Sequence, residues 1–180
     1  TSTIISALMS FILKIIFDIP RPAQILDHES FVIIGEVLGG FKSMPSGHSI
    51  TTFSIITILL IAFMPKKMNH KIIWTFSIIL IGLIIALSRV GVGAHYPLDV
   101  VIGSTIGYMS SIFGIYLNNK FNLWFWIKKE KYYPILMLFL IIWGIAIVNE
   151  ITLNNLLIFY FSLAFLVTTV YLILRVYVKK

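Results

Sequence analysis

The sequence contains no cysteine, which excludes a disulfide framework, a thiolate metal site and a thiol nucleophile. It is also poor in charge. Only 12% of its residues are Asp, Glu, Lys or Arg, about half the roughly 25% of an ordinary globular domain, and too few to cover a water-facing surface. Acidic residues are the scarcest, 7 against 14 Lys plus Arg, which leaves a formal net charge of +7. A basic balance can mark a nucleic-acid surface, but here the lysines fall between apolar runs, so no nucleic-acid partner is expected. Strict apolar/polar alternation of the barrel-strand kind is missing too. The chain opens at Thr1 without a basic flank or a small-residue cleavage site, so it does not read as a signal peptide. The missing initiator methionine leads us to expect residues upstream of Thr1.

What the sequence has in abundance is apolar length. Apolar residues make up 59% of it, and its mean hydropathy is positive. A membrane-spanning helix needs about 20 predominantly apolar residues, and six segments approach that length: Ser2 to Phe17, Ser46 to Met64, Ile72 to Ser88, Pro97 to Leu117, Tyr133 to Val148 and Asn155 to Val176. The expected fold is therefore all-α, a polytopic helical bundle of about six transmembrane helices in the lipid bilayer. All six prolines, at 20, 22, 45, 65, 97 and 134, lie at proposed ends, where a first helical turn tolerates them and a helix interior would not. Gly103, Gly107 and Ser111 recur at four-residue spacing and offer a surface for close helix contact. With no long repeat, low-complexity tract or linker, residues 1–180 read as a single integral-membrane domain.

Six crossings place the connections alternately on two sides. One side carries Lys66, Lys67, Lys71, Lys120, Lys128, Lys129, Lys131, Arg175, Lys179 and Lys180, ten of the fourteen cations. Cytoplasmic loops hold the Lys/Arg excess, so this side is expected in the cytoplasm of a cell whose inner membrane the protein spans. The stretch Phe121 to Tyr133, FNLWFWIKKEKYY, reads as an aromatic and basic belt at the cytoplasmic headgroups. The other side, facing the periplasm or exterior, holds only Lys14, Arg21, Lys42 and Arg89. Orientation alone would not put cations there.

Three clusters occur on this sparse side. In the first, Lys14 lies in the last turn of the first helix and Arg21 follows, framed by Pro20 and Pro22. A lysine at such a place can also simply snorkel to the interface. The second is Pro45-Ser46-Gly47-His48-Ser49 at the start of the second long helix. Unpaired backbone N–H groups there favour an anion, with Ser46 either a ligand or a helix cap. The third is Ser88-Arg89, then His95 and, four residues on, Asp99. At that spacing the carboxylate can reach one imidazole nitrogen and fix the tautomer, or merely satisfy a helix start. Alternation of the crossings brings all three clusters to one face, which describes an oxyanion site with proton-transfer chemistry. A metal held by His48, His95 and Asp99 is the rival, disfavoured because three nearby cations would repel it.

These motifs, Lys14 with Arg21-Pro22, Pro45-Ser46-Gly47-His48, and Ser88-Arg89 with His95 and Asp99, resemble the three-part signature of the type 2 phosphatidic acid phosphatase superfamily, with every position matched. That superfamily includes membrane lipid phosphatases, soluble acid phosphatases and vanadium haloperoxidases, and the apolar composition points to the lipid branch. The resemblance implies that His95 attacks phosphorus to give a phosphohistidine, Asp99 orients it, and His48 protonates the leaving oxygen and then activates water. It implies that Lys14, Arg21, Arg89, Ser46 and Gly47 hold the phosphoryl oxygens, with no metal or other cofactor. The substrate would be a phosphate monoester or pyrophosphate of a membrane lipid, such as undecaprenyl pyrophosphate, lipid A, phosphatidate or phosphatidylglycerophosphate, cleaved at the outer face. A lipid-to-lipid phosphotransferase would use the same groups. A non-catalytic lipid-binding or transport protein would be expected to show broken motifs. Many six-helix members complete the first motif after two helices, whereas here one helix precedes its end and two follow the third motif. The mostly apolar stretch Asp27 to Phe41 is expected to form either a short interfacial helix against the lipid or an ordinary loop.

Overall fold

The structure, a computed structural model, describes residues 1–26, 40–154 and 156–178, apart from the side chains of Lys128 and Val178. The stretch 27–39, where an interfacial helix was one expectation, lies outside the described residues. Contacts divide the chain into two compact units, Thr1–Phe121 and Asn122–Lys180. Among the described residues the long elements are all helical, as the apolar runs require.

The first unit contains α1 (Ser2–Phe17), a single turn α2 (Pro22–Ile25), α3 (Gly47–Ala62), α4 (Met68–Gly91) and α5 (Pro97–Phe121). Helices α1, α3 and α5 pack on one another, and α4 lies against α3 and α5. Close approach is possible because the small residues of α5 face its partners. A Cβ on Gly103 would stand 2.7 Å from the Ser46 carbonyl oxygen, one on Gly107 would strike the Ile50 carbonyl, and one on Gly114 would lie 2.6 Å from the Ser2 Cα. With backbones this near, hydroxyls bond across the seams. Ser6 Oγ donates to Ser54 Oγ (2.9 Å), Ser54 Oγ lies 2.8 Å from Ser111 Oγ, Ser111 Oγ donates to the Ser54 carbonyl (2.9 Å) and Ser2 Oγ to the Ser111 carbonyl (3.2 Å). Such contacts associate helices where the surrounding lipid is as apolar as the side chains themselves.

The second unit contains two short 3-10 turns, Phe125–Lys128 and Glu130–Tyr132, then α6 (Tyr133–Asn154) and α7 (Leu157–Val178). Tyr133 at the start of α6 sits 6.3 Å, centroid to centroid, from Tyr177 at the end of α7, so the pair is an antiparallel hairpin. In the turns, Trp126 meets Tyr132 edge-on at 5.8 Å, and the Lys129 ammonium lies 5.5 Å from the Phe125 ring.

Among the described residues five helices are long and apolar enough to cross a membrane, Ser2–Ile25 (α1 with α2), Met68–Gly91, Pro97–Phe121, Glu130–Asn154 and Leu157–Tyr177, while Gly47–Ala62 is apolar but shorter. Helix α3 falls just inside its expected run, Ser46 to Met64, whereas α4 and α6 overrun theirs where polar residues begin. Helix α4 starts at Met68 instead of Ile72, and α6 continues to Asn154 past Val148. Hydropathy marks where lipid ends, and backbone hydrogen bonding carries a helix on into the interface.

Candidate active site

Each cluster is held by its own local structure. Helix α1 ends where Asp18 turns left-handed (φ 40°) and its N–H bonds the Lys14 carbonyl, which leaves Lys14 in the last turn. Arg21 occupies the N-cap position of α2, ahead of Pro22, and its guanidinium donates to the Ala94 carbonyl at 3.3 Å. The third cluster is set by the turn after α4. Gly93, at φ 73°, takes a conformation that side chains rarely adopt. The turn it makes lets the N–H groups of Ala94 and His95 both donate to the Arg89 carbonyl, at 3.1 and 3.2 Å. Arg89 and His95 are thereby fixed to one another through backbone.

Helix α5 then begins at Pro97, and Asp99 in its first turn reaches back to accept the Tyr96 N–H at 3.0 Å, the reciprocal half of a capping box. The same carboxylate oxygen, Oδ2, stands 3.5 Å from His95 Nδ1 and accepts from Ser43 Oγ at 2.6 Å. Asp99 is buried at 2% exposure. Its backbone carbonyl accepts the Ser46 N–H at 3.0 Å, tying the start of α3 to the start of α5.

Ser46 is fully buried and its hydroxyl caps α3, accepting from the Ser49 N–H at 3.4 Å and the Ser49 hydroxyl at 3.1 Å. Of the two roles open to it in the sequence, the structure displays the cap. Gly47 leaves the N-terminus of α3 uncovered, and a Cβ there would lie 3.7 Å from Lys14 Nζ. An ammonium thus stands against the positive end of a helix.

A cavity of about 810 Å³ opens over these groups, lined by Lys14, Arg21, Gly47, His48, Arg89 and His95, and extends along α1 and α3 past Ser10, Thr51, Ser6 and Thr3. Six of the eight residues singled out in the sequence therefore share one wall, while Asp99 and Ser46 stand behind it. Among the described residues no carboxylate pairs with Lys14, Arg21 or Arg89, and the Arg89 Nε is buried without a hydrogen-bond partner. Among the described residues three cations and a helix N-terminus converge with only the buried Asp99 carboxylate acting on them, an excess of positive charge that a phosphoryl group would offset. Burial lowers the His95 imidazole from its ordinary value near 6.5 to about 4; the Arg21 guanidinium and, more weakly, the Lys14 ammonium add to this against the opposing pull of Asp99. His95 is therefore neutral at physiological pH. No group of three His, Asp or Glu side chains that could hold a metal ion occurs among the described residues.

Ser43 had no signal of its own in the sequence. It is a lone serine ahead of a Met-Pro pair, and its partner Asp99 is 56 positions away. Lys42, the fourth cation of the sparse side, is exposed and left-handed at φ 76°.

An all-helical bundle that builds this kind of oxyanion pocket from three separate helix ends defines a class, and comparison with known proteins identifies it. The sequence model of the PAP2 superfamily matches residues 1–123, and the chain belongs to that superfamily. The bacitracin transport permease protein BcrC of Bacillus licheniformis is 33% identical over 72 residues, 40% of this chain and 32% of BcrC. The crystal structure of LpxE from Aquifex aeolicus superposes with a TM-score of 0.52 at 29% identity, covering 63% of this chain and 62% of LpxE. The chain thus spans about a third of the one and less than two thirds of the other.

Proposed function

We propose that the protein is an integral membrane phosphatase that hydrolyses a phosphate monoester or pyrophosphate of a membrane lipid. The observation that carries this reading is the cavity in which His48, His95 and three cations, with no carboxylate partner among the described residues, meet the N-terminus of α3. Superfamily membership and the apolar helices support it further.

In the first step His95 Nε2 attacks phosphorus. An N–P bond forms as the P–O bond to the lipid breaks, and protonated His48 gives its proton to the departing oxygen. The ring, now phosphorylated with Nδ1 still bearing hydrogen, is positively charged and is stabilised by Asp99. In the second step His48 takes a proton from water, the oxygen attacks phosphorus, the N–P bond breaks, and phosphate leaves with His95 neutral again. Lys14, Arg21 and Arg89 stabilise the charge on the phosphoryl oxygens in both transition states. Gly47 lets the substrate approach the backbone N–H groups of α3, and Ser46 contributes through the cap that orients that turn. Every step uses side chains of this chain, without a metal.

The Lys/Arg distribution of the loops supports a cavity that faces the periplasm or exterior of an inner membrane, where undecaprenyl pyrophosphate, lipid A, phosphatidate and phosphatidylglycerophosphate are the substrates to test. Detergent-purified protein is expected to release phosphate from at least one lipid of this panel with chelator present, and His95→Ala to lose about 10⁴-fold or more of the rate. The reading fails if no lipid is cleaved or if His95→Ala matches the parent.

A further inference from the structure

The cavity wall includes His95 but, among the described residues, neither Asp99 nor Ser43. Both stand behind the imidazole, and their geometry decides which of its nitrogens carries hydrogen. At 3.5 Å the His95 Nδ1 to Asp99 Oδ2 separation is longer than the usual 2.7–3.2 Å of an N–H···O bond, so the carboxylate alone holds the ring loosely. Ser43 Oγ is a second neighbour of Nδ1, at 3.4 Å, and its single proton is already committed to Asp99 Oδ2 across 2.6 Å. A carboxylate only accepts, so that short contact has one possible direction. What Ser43 then turns toward Nδ1 is a lone pair. Both neighbours of Nδ1 are therefore acceptors, and both require the hydrogen to be on Nδ1, leaving the Nε2 lone pair for the cavity.

The backbone is arranged to hold Ser43 in this place. Its side chain is fully buried, its N–H donates to the Ile19 carbonyl at 2.8 Å, and it is delivered by Lys42 in a left-handed conformation (φ 76°). Such a conformation is uncommon for a side chain of that size and persists where the surroundings over-determine it. It turns the Lys42 side chain to the surface while Ser43 faces in.

We infer that Ser43 is a positioning residue, whose hydroxyl bridges Asp99 and His95 and holds the nucleophile as its Nδ1–H tautomer. The inference rests on the phosphatase reading for its kinetic consequence but not for its structural one. In Ser43→Ala, kcat against the lipid that the parent cleaves is expected to fall about tenfold to a hundredfold, the scale of a lost hydrogen bond to a buried charge, with KM changed less than about twofold because the cavity wall is untouched. Nitrogen-15 histidine spectra of the detergent-solubilised full chain, in which His95→Gln identifies one of the 4 histidines, are expected to show His95 as a single Nδ1–H tautomer in the parent and a tautomer mixture in Ser43→Ala. Ser43→Thr, which retains the hydroxyl, should restore both, and if its extra methyl prevents folding the comparison of parent with Ser43→Ala decides. An unchanged kcat, or a fall in kcat that merely follows the folded fraction while His95 stays Nδ1–H, overturns the inference. A parent that cleaves no lipid would overturn the phosphatase reading alone, since the tautomer comparison still tests Ser43.

Discussion

In Thr1–Phe121 the side chains withdrawn from the surface are mostly small and polar, Ser2, Ser6, Ser46, Ser49, Ser54 and Ser111 among them, whereas in α6 and α7 the only buried residue among those described is Ile147. The two membrane-length helices at the extremes make the contrast plain: a third of the Pro97–Phe121 window is buried within the protein and none of the Leu157–Tyr177 window is. Large apolar side chains gain nothing by leaving lipid for one another, so a close-packed membrane bundle needs small residues and hydroxyls at its seams. The first unit has them. The matched superfamily region, residues 1–123, coincides almost residue for residue with that unit, so the site chemistry lies where helix backbones approach most closely.

Glycine substitution should separate the two regions most sharply. At Gly107 a Cβ would stand 3.0 Å from the Ser54 nitrogen and strike the Ile50 carbonyl, while at Gly144 the nearest heavy atom is Leu166 Cδ2 at 3.5 Å. Gly107→Ala is expected to destabilise the protein by about 1–3 kcal/mol, and Gly144→Ala to be neutral or stabilise by up to about 1 kcal/mol through helix propensity. Thermal unfolding in detergent reads both, and equal effects would break the comparison.

Acid sensitivity is the next effect in size. Because His95 titrates near 4 in the folded protein and near 6.5 when free, the unfolded chain binds a proton that the folded one refuses between those values. Stability should therefore fall as pH drops through that window, by at most about 1.4 kcal/mol per pH unit from this group. His95→Gln should flatten the slope, and an unchanged slope in that variant would count against a buried neutral imidazole.

The smallest difference is expected between two serines. Ser54 bonds Ser6 and Ser111 across three helices, and Ser162 donates only within α7 to the Ile158 carbonyl. Ser54→Ala should cost about 0.6 kcal/mol, up to about 1.7, and Ser162→Ala close to nothing, again by thermal unfolding.

The helices were legible because lipid imposes length and apolarity on any segment that crosses it. Helix α1 matches its expected bounds residue for residue, Ser2–Phe17. Short elements were not legible. The turn Pro22–Ile25 and the two 3-10 turns are fixed by local caps and aromatic contacts instead of periodicity. At the site, Lys14, Arg21, His48, Arg89, His95 and Asp99 stood out because charge is rare in such a sequence and each lies beside a helix end. Ser43 and the buried serine seam did not, because a serine carries no periodic signal and its meaning depends on a partner tens of residues away.

Gly103 acts as a spacer gauge. Its missing side chain lets the Ser46 carbonyl come within 2.7 Å of where a Cβ would be, and one turn higher the Ser46 N–H bonds the Asp99 carbonyl. His48 follows Ser46 by two residues and His95 precedes Asp99 by four, so the gap between the two imidazoles is calibrated by two backbones in contact. The tolerance of the site is thus written into a position outside the cavity lining.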